Sequence, residues 1–246
     1  MPEELIAETM STTNLIDELS DRILSRFDPQ ARPKVERDLA RLKELQVGSL
    51  EAALAITGDP MRPAEERSLA AWFLGQIGDA GIAPALVDLL EQETSEAVVW
   101  EMCKVIATLG ASTDRPQLSS RLEAMLDRSP EVRKREALVF ALGLLGQQSA
   151  IPVLLKVLRA SEAPLVLRVQ AAEALGNFPG SAAAEALLEG LESYSPALPT
   201  AIIRALRANS DSRLVPQLEG FVVDAEVLLN EARTALEEIR SRDPAR

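Results

Sequence analysis

The sequence predicts an all-α fold, a superhelical α-solenoid of about seven antiparallel helix pairs, and three observations carry that prediction. The first is a period. Gly146 closes a helix within LVFALGLLGQQSAIP (138–152), and its equivalents stand at Gly78, Gly110, Pro179 and Ser210, in steps of 32, 36, 33 and 31 residues. Repeats built of two helices have periods in that range. The second is a start signal six residues past the markers, at Pro84, Pro116, Pro152 and Pro216, with Glu185 as the exception. Proline has no amide hydrogen for the first helical turn to leave unpaired, and its φ is already helical. The third is a set of apolar columns. In the first helix of each pair Leu86, Leu118, Leu154, Leu187 and Leu218 are followed four residues later by Leu90, Leu122, Leu158, Leu191 and Val222. In the second helix Leu74, Ile106, Leu142, Leu175 and Leu206 share a face with Ala71, Cys103, Val139, Ala172 and Ile203.

Taken in order, residues 1–10 are polar and acidic with no helical pattern and are expected to be disordered. Residues 11–48 read as an N-terminal capping pair. Ser11 to Asn14 offer N-caps ahead of Leu15, Ile16, Leu19, Ile23, Leu24 and Phe27, and a second helix from Pro33 to Val47 carries Val35, Leu39, Leu42 and Leu45. Neither helix has the repeat columns, which suits a cap over the first true repeat. Regular hairpins are expected over 49–241: 49–56 with 62–77, 82–92 with 95–109, 115–127 with 130–145, 149–160 with 164–178, 181–193 with 196–209, and 211–222 with 224–241. Turn residues such as Gly58-Asp59-Pro60, Ser129-Pro130 and Ser195-Pro196 separate them. No loop is long enough to be a linker, so 11–240 is expected to form one domain, followed by a charged tail at 242–246. Small residues at Gly75, Ala107, Gly143 and Gly176 form a column where neighbouring helices could approach closely, until Arg207 breaks it.

The stretches LRVQAAEALGNFPG, VRKREALVFALGLLGQQSAIPVLLKVL and LAAWFLGQIGDAGIAPALVDLL resemble HEAT repeats, in particular the bacterial HEAT-like type first described in phycobilin lyases. The resemblance covers roughly Ser49 to Arg240 and rests on packing positions, so it speaks for the fold more than for a function. It implies a protein-binding scaffold, or else a bilin-attachment protein or a subunit of a larger assembly. It also implies that second helices line the concave surface. Finally, it implies that Arg67, Arg135 and Arg168, in one column at the start of second helices, pair with an acidic or carbonyl group of the adjacent turn. Val99 and Pro199 depart from that column.

Composition narrows the function. With 47% hydrophobic and 26% charged residues the chain can bury a continuous core and stay dissolved, and only 3% aromatics favours packed helices over a sheet sandwich. The formal charge is −12, of which residues 51–100 carry −7. Such a surface repels phosphates and anionic headgroups, so nucleic acid and membrane are excluded as main partners and a basic protein segment fits better. Glu91, Glu93 and Glu96 would steer it. The single cysteine, Cys103, lies in a core column and reads as a reduced thiol of a cytoplasmic protein. MPEELIAETM has neither the basic nor the long apolar segment of a secretion signal, and no stretch is long enough to span a membrane.

Catalytic chemistry finds little to use. Histidine is absent, and with one cysteine neither a structural zinc site nor a His-dependent nucleophile can be built. Pairs such as Glu65-Glu66 and Glu237-Glu238 point about 100° apart on a helix, too far to share a proton. No metal, cofactor or catalytic residue is expected, and the chain reads as a non-enzyme.

The informative surface is the helical face opposite the core columns. Six residues before each marker stand Trp72, Lys104, Phe140, Glu173 and Arg204, and one turn later Gln76, Thr108, Leu144, Asn177 and Ala208. Trp72, Phe140 and Leu144 would be apolar anchors on an otherwise polar face, which is how binding hot spots are built. Trp100, on the flank, reads as a packing residue. The expectation is a groove of Trp72, Gln76, Glu101, Lys104, Phe140, Leu144, Glu173, Asn177 and Arg204 that holds a protein partner. The alternative is a lyase-like or chaperone subunit acting on a tetrapyrrole-bearing protein. Self-association through an exposed end hairpin is compatible with either.

Overall fold

The computed structural model describes residues 23–25, 28–45, 50–77, 80–110, 115–190, 197–209 and 226–242, and every regular element among them is helical. The expected disorder at 1–10, most of the first capping helix, the markers Gly78 and Ser210, the helix expected over 211–222 and the tail beyond 242 lie outside the described residues. The chain is an all-α solenoid of paired helices that falls into two compact units, Met1–Thr113 and Asp114–Arg246.

The N-terminal unit contains α1 (Arg32–Glu44), α2 (Leu50–Gly58), α3 (Ala64–Ile77), α4 (Ala83–Gln92) and α5 (Glu96–Leu109). Helix α1 forms because Pro33 fits its first turn and Arg41 and Lys43 complement the negative end of its dipole. Val35, Leu39 and Leu42 make its buried stripe, which packs on α3. Helices α2 with α3 and α4 with α5 are the hairpins. The first helices α2 and α4 touch each other, and so do the second helices α3 and α5, the two-row stacking of a helical repeat.

The C-terminal unit contains α6 (Arg115–Arg128), α7 (Val132–Leu145), α8 (Ile151–Arg159), α9 (Leu165–Gly176), α10 (Ser181–Gly190), α11 (Ala197–Asn209) and α12 (Glu226–Arg242). Here α7, α9 and α11 form the row of second helices, and α8 packs on α10 in the outer row. The core lies between the rows. All ten residues of the two second-helix columns, Leu74 to Leu206 and Ala71 to Ile203, are completely buried.

Helix limits follow the sequence closely, with one systematic difference. The expected starts at 82 and 149 are single 3-10 turns, Ala80–Ile82 and Gln148–Ala150, which lead into α4 and α8 and leave Pro84 and Pro152 in the first α-turn. The glycine markers are also not equivalent. Gly146 closes α7 with φ 64°, a left-handed conformation that costs a side chain about 1 kcal/mol, whereas Gly110 sits at φ −59° as any residue could. After the next hairpin the left-handed residue is Gly180 (φ 101°), one position beyond the marker Pro179.

The small-residue column does what close packing requires. A Cβ on Gly143 would lie 2.8 Å from Ala174 Cβ and 2.9 Å from its Cα, and a Cβ on Gly176 would lie 2.8 Å from Ala205 Cα. A Cβ on Gly75 would instead meet a side chain, Val105 Cγ2 at 2.9 Å. In each case the residue three before one marker faces the residue five before the next, a constant stagger between neighbouring second helices. Contact at that stagger, with backbone at Gly143 and Gly176 and with the Val105 side chain at Gly75, is why the column is small.

The arginine column divides. Arg67 Nε donates to Thr57 O at 3.2 Å and Arg168 Nε to Leu158 O at 2.9 Å, each ten residues upstream at the penultimate residue of the preceding first helix. Arg67 also forms an ion pair with Glu93 of the next hairpin. Arg135 does not follow: its Nε is buried without a hydrogen-bond partner. The reason is a shorter connection. Helix α6 ends seven residues before Arg135, where α2 and α8 end nine before Arg67 and Arg168, so the carbonyl ten residues back, on Met125, is inside the helix end and already accepts from Ser129 N at 2.9 Å.

Candidate functional site

Each unit presents a cleft on the exposed side of its second helices. In the N-terminal unit the cleft measures about 790 Å³ and is built by α1, α3 and α5. Its floor is Trp72, half-buried, with Leu69 beside it, and Glu101 and Lys104 form the α5 wall. Those two are joined at 2.5 Å, an i, i+3 pair on one helix face. The α1 wall supplies Asp38 and Arg41. Arg41 bonds Glu44 and Glu66, and Glu66 also accepts from Arg62 at 3.2 Å. Hydrogen bonds from Arg41 to Glu44 and then Glu66 raise its already high pKa, so it stays a cation throughout the ordinary pH range.

Most of the charge in this cleft is therefore neutralised within it. Of the residues the sequence assigned to a groove, Trp72, Glu101 and Lys104 meet here, and Gln76 is exposed on α3 but does not line the cleft. The expected steering acids also separate: Glu91 and Glu96 are exposed, but Glu93 is buried. Its carboxylate faces Arg67, and its Oε1 accepts the backbone N–H groups of Thr94 at 2.9 Å and Ser95 at 2.7 Å. Glu93 is thus a hinge pin between hairpins, withdrawn from solvent because both its oxygens are satisfied internally.

In the C-terminal unit a smaller cleft of about 240 Å³ lies between α7 and α9, lined by Phe140, Leu144, Gln170, Glu173, Ala174 and Asn177. Phe140 and Leu144 are one turn apart on α7 and remain 36% and 51% exposed. Helix α9 contributes Gln170 and Glu173 and its C-cap Asn177, at i, i+3 and i+7, the spacing of one helical stripe. The side chains of Gln170, Glu173 and Asn177 make no hydrogen bond or ion pair among the described residues, and Gln170 Oε1 is shielded from solvent as well. Arg204 is exposed on α11 and does not line this cleft.

One lining residue, Gln170, and one buried neighbour on α7 outside the lining, Glu136, were not singled out from the sequence. Gln170 stands nine residues before its marker, in the column of Leu69 and Glu101, which line the N-terminal cleft, and that shared phase was the signal available for it. Glu136, one turn before Phe140 on α7, is 1% exposed, with Oε2 held by Arg133 at 2.9 Å and Oε1 unpartnered. A glutamate inside the apolar run EALVFALGLL was the available signal. Among the described residues no group of three or more His, Cys, Asp or Glu could hold a metal ion, and no helix is long and apolar enough to cross a membrane.

Sequence comparison identifies the repeats. The profile described as HEAT repeats matches residues 119–207 and 151–237, and the PBS lyase HEAT-like repeat matches residues 66–92, together more than half the chain. This is a HEAT-repeat protein. No curated protein matches the HEAT-repeat chain significantly. Among solved structures it is similar to the complex of CpcE and CpcF of phycocyanin lyase from Nostoc sp. PCC7120, at 20% identity and a TM-score of 0.48, covering 91% of this chain and 93% of that one. It is also similar to human deoxyhypusine hydroxylase in complex with glycerol, at 21% identity and a TM-score of 0.36, covering 94% and 98%.

Proposed function

We propose that this HEAT-repeat chain is a non-enzymatic scaffold that holds a protein partner against the exposed faces of its second helices. The observation that carries the proposal is the C-terminal cleft. Phe140 and Leu144 stand exposed at its floor, and the three polar side chains around them have no partner among the described residues. Burying two such residues against a partner would contribute about 3–5 kcal/mol before costs, enough to anchor an interface. The surplus of carboxylates in residues 51–100 favours a partner with a basic stretch, and the lone buried cysteine suits a cytoplasmic setting.

The tetrapyrrole alternative has a cleft of adequate size in the N-terminal unit. Ligand sites of that volume are mostly apolar, whereas this one is walled by paired charges, so the geometry favours the scaffold.

The test is retention from a lysate of the source cell on immobilised wild type and on a Phe140→Ser, Leu144→Ser variant, identified by mass spectrometry. Proteins held by wild type and released by the variant support the proposal; identical sets on both would overturn it.

A further inference from the structure

We infer that the exposed face of α7 and α9 is a homotypic docking surface, on which a second copy of this chain packs about a two-fold axis. The inference rests on the scaffold reading and names the partner that its C-terminal unit takes.

Exposed apolar side chains are not spread evenly over the chain. Among the described residues five large ones are exposed, and four of them, Phe140, Leu144, Leu165 and Val166, belong to α7 and α9, which pack on one another. A cluster of that kind on neighbouring helices marks an interface. The charges beside it decide what it fits. On α7 the outward ridge runs from Arg133 to Phe140, and on α9 from Val166 to Glu173, each a step of seven residues that returns to the same helical face. Arg133 keeps 63% of its side chain exposed while it bonds Glu136, and Glu173 is exposed as well.

These four residues stand at the corners of a near-rhombus. Gly143 faces Ala174, which sets Val166 level with Arg135 and Glu173 level with Leu142. The two ridges are thus offset by about two residues, or about 3 Å. Seven residues of helix measure about 10 Å, and packed helices lie about 8–10 Å apart, so the four sides are close to equal. One diagonal joins the apolar pair, Phe140 and Val166. The other joins the charges, Arg133 and Glu173.

A rhombus is symmetric about each diagonal. Turning a second copy over about the Phe140–Val166 line lays Phe140 on Phe140 and Val166 on Val166, and brings each Arg133 onto the Glu173 of the other copy. Both ion pairs form together, as a two-fold interface demands. Rotation about the charged diagonal would instead set like charges against each other. A partner of uniform charge would match one corner and repel the other, so the surface that complements this patch is the patch itself. The helices of the two copies cross steeply in this arrangement, which confines contact to the four residues and their borders, Leu144 and Leu165. An interface at the small end of the usual range results, with a dissociation constant on the order of 10 μM.

The test uses the full chain. Sedimentation equilibrium at up to about 200 μM should show monomer and dimer in exchange. Val166→Asp puts two carboxylates on the axis and should weaken the dimer at least about tenfold; aspartate suits the first turn of a helix, so this variant keeps its fold. Glu173→Arg should weaken it about three- to tenfold. Cross-linking checks the axis. Buried Cys103 is the only native thiol, so mild oxidation of Val166→Cys should give a disulfide-linked dimer, and Met61→Cys, at a position 89% exposed in the other unit, should link far more slowly. A monomer at every concentration, or a dimer in which Val166→Cys links no faster than Met61→Cys, would overturn the second-copy inference. The lysate experiment then decides the scaffold reading separately: proteins released by the Phe140→Ser, Leu144→Ser variant leave it standing, and identical sets remove it.

Discussion

The Arg67–Glu93 pair locks the first two repeats of the N-terminal unit together, and its removal should be the most costly single change on that unit's surface of contact. Their side chains are only 11% and 4% exposed, so both charges have left water and depend on one another. Glu93→Ala strands a buried guanidinium and two backbone N–H groups, those of Thr94 and Ser95. Breaking one partner of a buried ion pair costs about 3–5 kcal/mol, and Arg67 keeps only its bond to Thr57 O in compensation. Against a total stability of roughly 5–15 kcal/mol the unit should stay folded but lose much of its margin.

The assay is available in the chain itself. Both tryptophans, Trp72 and Trp100, lie in the N-terminal unit, so intrinsic fluorescence during urea unfolding reports on that unit. With a denaturant slope of about 2 kcal/mol per molar, a loss of about 3 kcal/mol moves the midpoint down by about 1.5 M. Glu93→Gln should fall between, because glutamine can still accept the Thr94 and Ser95 N–H groups but cannot neutralise Arg67. A cycle with Arg67→Met should give a coupling of about 1–3 kcal/mol. Midpoints within about 0.25 M of wild type for both Glu93 variants would refute the assignment of Glu93 as an internal pin.

Two further outcomes probe packing and charge. Gly143→Ala gains about 1 kcal/mol of helix propensity but overpacks against the Ala174 backbone at a cost of about 1–3 kcal/mol, so thermal unfolding by circular dichroism should show a net loss; a net gain would contradict the close approach of α7 and α9. Lys156→Ala removes a 2.6 Å bridge to Asp127 whose side chains are 70% and 50% exposed, and should change stability by less than about 0.5 kcal/mol; a loss above 1 kcal/mol would show that this bridge ties α6 to α8.

The helical architecture was readable because it depends on residue type at fixed spacing. Leu142 and Val139 had to face inward whatever their neighbours, since an apolar stripe of helical period has one way to leave water. Close approach was readable too, because glycine at Gly75, Gly143 and Gly176 removes the side chain that would keep two helices apart. The cleft members were legible only in part. Phe140, Leu144, Glu173 and Asn177 were marked by their phase on the helix, and Gln170 has the phase of Glu101 but stands where the expected groove named no residue of its repeat. Trp72 shared the phase of Phe140 yet is half-buried, because α1, which has no counterpart in the repeat pattern, packs on α3.

The sequence by itself determined the repeat, the rows of helices and the inward columns, since these are local consequences of period, proline placement and hydrophobic burial. Only tertiary structure decided which polar groups are available. Glu91, Glu93 and Glu96 look alike as letters, but Arg67 of the preceding hairpin draws Glu93 inside and leaves the other two in water. Arg67, Arg135 and Arg168 share a column, but the length of the connection before each sets whether a carbonyl is within reach. Hydrogen bonds and ion pairs act over about 3 Å between residues distant in the chain, so their pairing is settled by the packing of whole helices rather than by the order of residues.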